Sequence, residues 1–172
     1  KIDLCAAVTT ACSSTLPQGL SSVTSVNSTG NLGGKSDLVY AGDLQGNLWA
    51  INISANTPAN WTVRLVFKAK DSSGTVQPIT TTPSVTLNPD YPTKKGLMIY
   101  FGTGQLLAQT DLSNTQVQTF YGVYDNLSSS ALVRSNLLQQ TKTVVTAATS
   151  GLSQNIITST NYDWRTPNPP LS

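Results

Sequence analysis

The sequence predicts an all-β fold built from antiparallel four-stranded units, the blades of a β-propeller or of part of one. Three observations predict it. Short stretches alternate apolar and polar residues with the period of a strand. Glycine-marked turns of Asp, Asn and Gly separate them. The motif order also repeats, since Tyr40-Ala41-Gly42 returns as Tyr100-Phe101-Gly102 at an offset of about 60 residues, longer than a usual blade because the loops are longer.

The first unit, 16–75, opens with Pro17-Gln18-Gly19 leading into a strand from Leu20 to Val26. LVYAGDLQGNLWAINI (38–53) then reads as a hairpin. Val39 and Ala41 alternate with Leu38 and Tyr40, Asp43 to Asn47 supplies the turn, and Trp49, Ile51 and Ile53 share a face. After a loop at Ser54 to Asn60 containing Pro58, WTVRLVFKAK (61–70) is a half-buried strand with Trp61, Val63, Leu65, Phe67 and Ala69 on one side.

A second unit, 76–127, repeats the plan. QPITTTPSV (77–85) resembles the earlier entry, GLMIYFGTGQLL (96–107) echoes the hairpin strand, and TFYGVYD (119–125) continues the sheet, with surplus length in Asn88 to Lys95. The remainder, 128–172, begins a further unit. In SSSALVRSNLLQQT (128–141) the spacing of Leu132, Val133, Leu137 and Leu138 predicts a short helix. TKTVVTAAT and QNIITST are strands around a turn at Gly151. Units that each expose an apolar face for a neighbour to cover argue for a propeller, although a β-sandwich satisfies the same strand pattern.

Composition narrows the function. With 172 residues, 38% of them hydrophobic and 10% charged, the chain can bury a core as one domain or part of one. The net charge is +2 and only Lys94 and Lys95 adjoin, which argues against a nucleic-acid partner. There is no His, and all 8 acidic residues are Asp. A Ser-His-Asp or Cys-His nucleophile therefore cannot be assembled, and imidazole-ligated zinc or copper is excluded; hard, oxygen-liganded cations such as calcium stay open.

Abundant Ser and Thr with few charges suit an extracellular β-protein. Cys5 and Cys12 are close enough for a local disulfide in an oxidising compartment, and two reduced thiols would look the same in sequence. No apolar run reaches the ~20 residues that span a membrane. KIDLCAAVTT lacks the regions of a signal peptide, so the expectation is a segment of a longer, exported polypeptide whose signal has been removed.

PQGLSSVTSV, DLVYAGDLQGNLWAINI, MIYFGTGQLL and QTFYGVYD, in that order and followed by RSNLLQQT, resemble the C-terminal propeller of the PilY/PilC family of type IV pilus proteins. The similarity runs from about Leu16 to Thr141 and is strongest in the turn of Asp43, Gly46 and Asn47 with the tryptophan that follows. It implies an exported protein at the pilus tip. There it would contact minor pilins, support assembly, balance extension against retraction and adhere to host or abiotic surfaces, without catalysis. The family often carries an EF-hand-like calcium loop before this turn. Here the stretch is NSTGNLGGKSD (27–37), with Asn27, Thr29 and Asn31 at alternating places and Asp37 closing. Only one carboxylate is present where calcium seeks about six to eight oxygens, so the loop reads either as a weak calcium site or, preferably, as an ordinary turn.

Each singled-out residue has a plain reading beside its functional one. Asp43 is a ligand or partner contact, or a turn former, and its position in the turn favours the latter. Trp49, Trp61 and Trp164 line a sugar-binding surface in one reading; in the other, Trp49 and Trp61 are core and Trp164, beside Arg165, is exposed or docked on another chain. Asn27-Ser28-Thr29, Asn52-Ile53-Ser54, Asn60-Trp61-Thr62 and Asn126-Leu127-Ser128 match the glycosylation sequon, a match that arises easily in such a composition. The leading expectation is a structural and interaction protein. Its rivals are an extracellular lectin-like module and, with few carboxylates to support it, a quinoprotein-type propeller oxidoreductase.

Overall fold

The computed structural model describes residues 2–9, 11–13, 15–29, 34–88, 96–128, 130–146 and 153–158. They fall into two compact units, Lys1–Arg134 and Ser135–Ser172, each taken by itself. The fold is mostly β. In the first unit, β1 (Val23–Val26), β2 (Leu38–Gly42), β3 (Asn47–Asn52) and β4 (Thr62–Lys68) form an antiparallel meander. A second antiparallel sheet consists of β5 (Ser84–Leu87), β6 (Leu97–Gly102) and β7 (Phe120–Asp125). The second unit contains the hairpin of β9 (Thr141–Thr146) and β10 (Ser153–Thr158).

The helix expected at 128–141 does not form. Leu132–Val133 is instead a short strand, β8, running parallel to β4 with Phe67 opposite Leu132, and Arg134–Asn136 is a single 3-10 turn. One or two helical turns begun by a serine run are marginal by themselves. The open edge of β4 offers that backbone fixed hydrogen-bond partners, and these outweigh the helical spacing of a few apolar side chains.

The inner strands β2 and β3 are buried on both faces along most of their length. The pairings Ala41 with Trp49 and Trp49 with Leu65 define one face; Tyr40 with Ala50 and Ala50 with Arg64 define the other. Between Leu48 and Trp49 the register slips, because Leu48 pairs with Phe67 while Trp49 pairs with Leu65. Val66 is thus a bulged residue, and it sends Phe67 to the face opposite Leu65. The single apolar side expected for residues 61–69 is therefore split in two. Trp61 precedes β4, is half-buried, and donates its indole N–H to the Ala55 carbonyl at 2.9 Å, so the core position expected for it is not the one it takes.

The N-terminal segment covers the first of these faces. Helix α1 (Leu4–Ala7) is capped by the Asp3 carboxylate, which accepts from the Cys5 and Ala6 N–H groups at 3.0 and 3.1 Å. The Cys5–Cys12 disulfide, with Cα atoms 5.5 Å apart, closes the loop after it. Ala11 packs with Trp49 and Leu65, and Leu4, Val8, Cys12 and Val63 surround them. A small covalently closed loop with few apolar residues of its own is held folded largely by its crosslink.

Aromatic packing joins the opposite face to the second sheet. Phe67 lies 6.0 Å from Phe101 and 4.8 Å from Tyr121 between ring centroids, and Phe101 lies 5.5 Å from Tyr121. Gly42 leaves room for the chain between the sheets, since a Cβ there would meet the Ile79 side chain at 2.3 Å.

Gly46 is required for two separate reasons. Its φ is +71°, and a Cβ would sit 2.6 Å from the Ala69 carbonyl oxygen and 2.8 Å from that of Gln77. Gly46→Ala is expected to cost about 2 kcal/mol or more, read as a lower urea midpoint at unchanged m-value. A midpoint equal to that of the wild type would show that neither the left-handed backbone nor the carbonyl contacts constrain this position.

Candidate functional site

The 27–37 loop turns on side chains that bond within the chain. Asn27 Oδ1 accepts the Thr29 N–H at 2.9 Å and also the Thr29 hydroxyl, while Asn27 Nδ2 donates to the Lys35 carbonyl at 2.9 Å. Asp37 accepts the Ser28 N–H at 2.7 Å through Oδ1 and the Ser28 hydroxyl at 2.5 Å through Oδ2. Asn31 lies outside the described residues, as does Trp164. Asn27 is thereby joined to Thr29 in the manner of an Asx-type turn, and Asp37 to Ser28 across the loop. Among the described residues no three His, Cys, Asp or Glu side chains gather as a metal-holding group.

The motif turn is an internal junction. Asp43 is 1% exposed and its carboxylate accepts four hydrogen bonds. Oδ1 takes the Gln45 and Asn47 N–H groups at 2.8 and 2.9 Å; Oδ2 takes Asn47 Nδ2 and the Trp49 indole N–H, both at 2.8 Å. Asn47 Nδ2 also donates to the Ala11 carbonyl at 3.1 Å. The turn backbone bonds outward to Gln18, Ala69 and Ile79. Asp43 therefore acts as a turn former, with no carboxylate edge left for a ligand or partner. Trp49 is fully buried beneath the disulfide loop and presents no face to a sugar.

Three residues that the sequence reading did not single out tie the sheets together. Tyr40 on β2 donates its hydroxyl to Asp125 Oδ2 at 2.7 Å, and Arg64 on β4 grips the same carboxylate through Nη1 at 2.8 Å and Nη2 at 2.5 Å. Arg64 Nη1 also donates to the Ser128 carbonyl at 3.1 Å, and Asp125 Oδ1 accepts the Leu127 N–H at 2.9 Å. The available signal was a charge inside each of two apolar strands, WTVRLVF and FYGVYD, since buried charges are normally paired. Burial raises the Tyr40 pKa, and the Asp125 carboxylate raises it further. Beside this group a cleft of about 330 Å3 opens, lined by Asp37, Leu38, Asn52, Thr62, Arg64 and Leu127 among others.

A different surface lies on the segment joining β6 to β7. Leu106, Leu107 and Leu112 are 70%, 68% and 65% exposed, and Val117 and Phe120 are 80% and 73% exposed. The backbone beneath them is anchored. Gln116 Nε2 donates to Asp71 Oδ2 at 2.9 Å, and that bond is the first cause of an Asp71 pKa lowered to about 2. Gln77 Nε2 donates to the Val117 carbonyl and the Thr119 hydroxyl, both at 2.9 Å. Apolar side chains held outward on a fixed backbone are the usual mark of a surface that meets another protein.

Two outcomes test this geometry. Asp43→Asn places an amide N–H₂ where two donors already converge; it is expected to destabilise by about 2–4 kcal/mol and to shift the Trp49 emission to the red on partial exposure. Unchanged emission and stability would mean that the carboxylate is dispensable. For Tyr40 the folded pKa lies above the ordinary 10.0, so folding favours the protonated phenol. Stability is then intact below pH 10 and falls as the pH rises above it, with Tyr100 and Tyr124, also raised by burial, adding to the slope. Urea midpoints measured upward from pH 9 should decline in the wild type and decline less in Tyr40→Phe. Parallel profiles would remove Tyr40 as the titrating group.

Residues 4–155 match the family model described as the PilY1 beta-propeller domain. The type IV pilus biogenesis factor PilY1 of Pseudomonas aeruginosa is 34% identical over 155 residues, covering 73% of this chain and 13% of that protein. A homolog from Xylella fastidiosa is 40% identical over 113 residues, covering 66% of this chain and 8% of its own length. The chain thus spans a small part of these relatives. The crystal structure of the Pseudomonas aeruginosa PilY1 C-terminal domain aligns with a TM-score of 0.68 at 29% identity, over 90% of this chain and 38% of that one. By its sequence and its sheets, this chain belongs to the PilY1 beta-propeller domain family.

Proposed function

We propose that the domain is a non-catalytic structural and interaction module of the type IV pilus tip, exported through the periplasm to the cell surface. In this reading it supports pilus assembly, contributes to the balance of extension and retraction, and takes part in adhesion to host or abiotic surfaces, with minor pilins as its immediate partners. Support comes from relatives named as type IV pilus biogenesis factors. The β1–β4 and β5–β7 sheets correspond in this proposal to two successive blades, 16–75 and 76–127, and 128–172 opens a further unit. The 27–37 loop serves as a turn in which Asn27, Ser28, Thr29 and Asp37 bond within the chain.

The observation that carries the reading is the anchored apolar segment. Leu106, Leu107 and Leu112 stand exposed on a turn held by the Asp111 carboxylate, which accepts the Leu107 and Ala108 N–H groups at 2.8 and 2.9 Å. Exposed leucines contribute nothing to a soluble surface by themselves, whereas desolvating such a cluster against a pilin drives association. The full-length protein carrying Leu106→Ser, Leu107→Ser and Leu112→Ser together should fold normally, yet lose about tenfold or more in capture of minor pilins and show fewer surface pili. Wild-type capture and piliation with all three replaced would overturn this assignment of the partner surface.

A further inference from the structure

The cleft beside the Tyr40–Arg64–Asp125 group has a composition that the pilus reading does not use. Its wall belongs to one face of the first sheet, where the pairings Leu38 with Asn52, Ala50 with Arg64 and Asn52 with Thr62 place these five residues together. Leu127, whose φ is +62°, closes the side nearer the second sheet. A volume of about 330 Å3 lies at the small end of the range that ligand pockets occupy, about 300–1,000 Å3.

The polar groups of the cleft are held in place before any ligand arrives. A guanidinium has five N–H donors. Arg64 spends one Nη1 and one Nη2 proton on Asp125 and the other Nη1 proton on Ser128, and its remaining protons, Nε–H and the second Nη2–H, have the Tyr40 hydroxyl as a neighbour. Asp37 is oriented by Ser28 and, among the described residues, accepts one bond at each carboxylate oxygen, each of which has acceptor capacity beyond one bond. Asn52 Oδ1 is occupied by the N–H and hydroxyl of Ser54, and its Nδ2 is a further donor. Leu38 and Ala50 add an apolar patch between these groups.

Charge decides the class of ligand. Arg64 is neutralised by Asp125, and Asp37 is a second carboxylate at the same cleft, so the local balance is negative and disfavours a free anion. Guanidinium and amide donors, a fixed acceptor and an apolar patch together suit adjacent hydroxyls on a ring with one C–H face. The hydroxyl oxygens accept from Arg64 and Asn52, their protons go to Asp37, and the C–H face lies on Leu38 and Ala50. We propose that this cleft is a binding site for a neutral sugar, the terminal monosaccharide of a glycan. It uses no exposed tryptophan, unlike the aromatic surface considered from sequence, and it is independent of the apolar segment on the β6–β7 connection.

The test is saturation-transfer NMR and calorimetric titration of the purified chain with methyl α-mannoside, methyl β-galactoside and, as the charged control, N-acetylneuraminic acid. Thr62 is exposed, so Thr62→Tyr fills the cleft without touching the core. Arg64→Lys keeps a cation for Asp125 but removes the planar guanidinium donors. Saturable binding of a neutral glycoside, weakened about tenfold or more in both variants at unchanged circular dichroism, is the expected result. If Arg64→Lys unfolds, Thr62→Tyr alone decides. Failure of both neutral glycosides to bind the wild type, wild-type affinity in Thr62→Tyr, or tighter binding of the anionic sugar would each overturn the proposal.

Discussion

The carboxylate of Asp43 is the constraint on which the first sheet depends. A buried charge is tolerated only when its desolvation is offset by well-placed donors, and this one has four, two from its own turn backbone and two from the side chains of Asn47 and Trp49. Because the Trp49 indole is one of them, the hairpin turn and the core on the disulfide side are fixed by the same group. Asn47 extends that control to Ala11, and the turn backbone binds Gln18, Ala69 and Ile79. Segments far apart in sequence thus converge on five residues, which explains why Gly46 can carry no side chain there.

A β-bulge at Val66 lets one strand serve two cores. Leu65 faces Trp49 under the disulfide loop, and Phe67 faces Phe101 and Tyr121 of the second sheet. Burial on both faces makes the interior strands nearly continuous in apolar residues, and polar residues within them must find partners. Arg64, Tyr40 and Asp125 satisfy one another, while Gln77 and Tyr121 do so with a bond of 2.8 Å. The seam between the sheets is therefore aromatic at its centre and ionic toward one end.

That division places the surfaces available for recognition. The motif turn is spent on internal bonds, and among the described residues the apolar segment between β6 and β7 and the cleft at the ionic end of the seam remain open. Both are borne on backbone fixed from below, which limits the ordering cost of binding. One suits burial against protein, the other hydrogen bonding to a small polar ring.

The sequence by itself determined the local elements. Period-two alternation located β2, β3, β4, β6 and β7, the Asp-Leu-Gln-Gly-Asn stretch located the tightest turn, and the motif order identified the family, because each signal is carried by neighbouring residues. The absence of His in the same way leaves these 172 residues without an imidazole for a nucleophile system or a metal. Tertiary structure alone decided that Val66 bulges, that β8 joins the edge of β4 instead of forming a helix, that Asp43 bonds Trp49, and that Arg64 meets Asp125. Each of these depends on groups distant in sequence, whose pairing energy overrides local preference and leaves no local pattern to read.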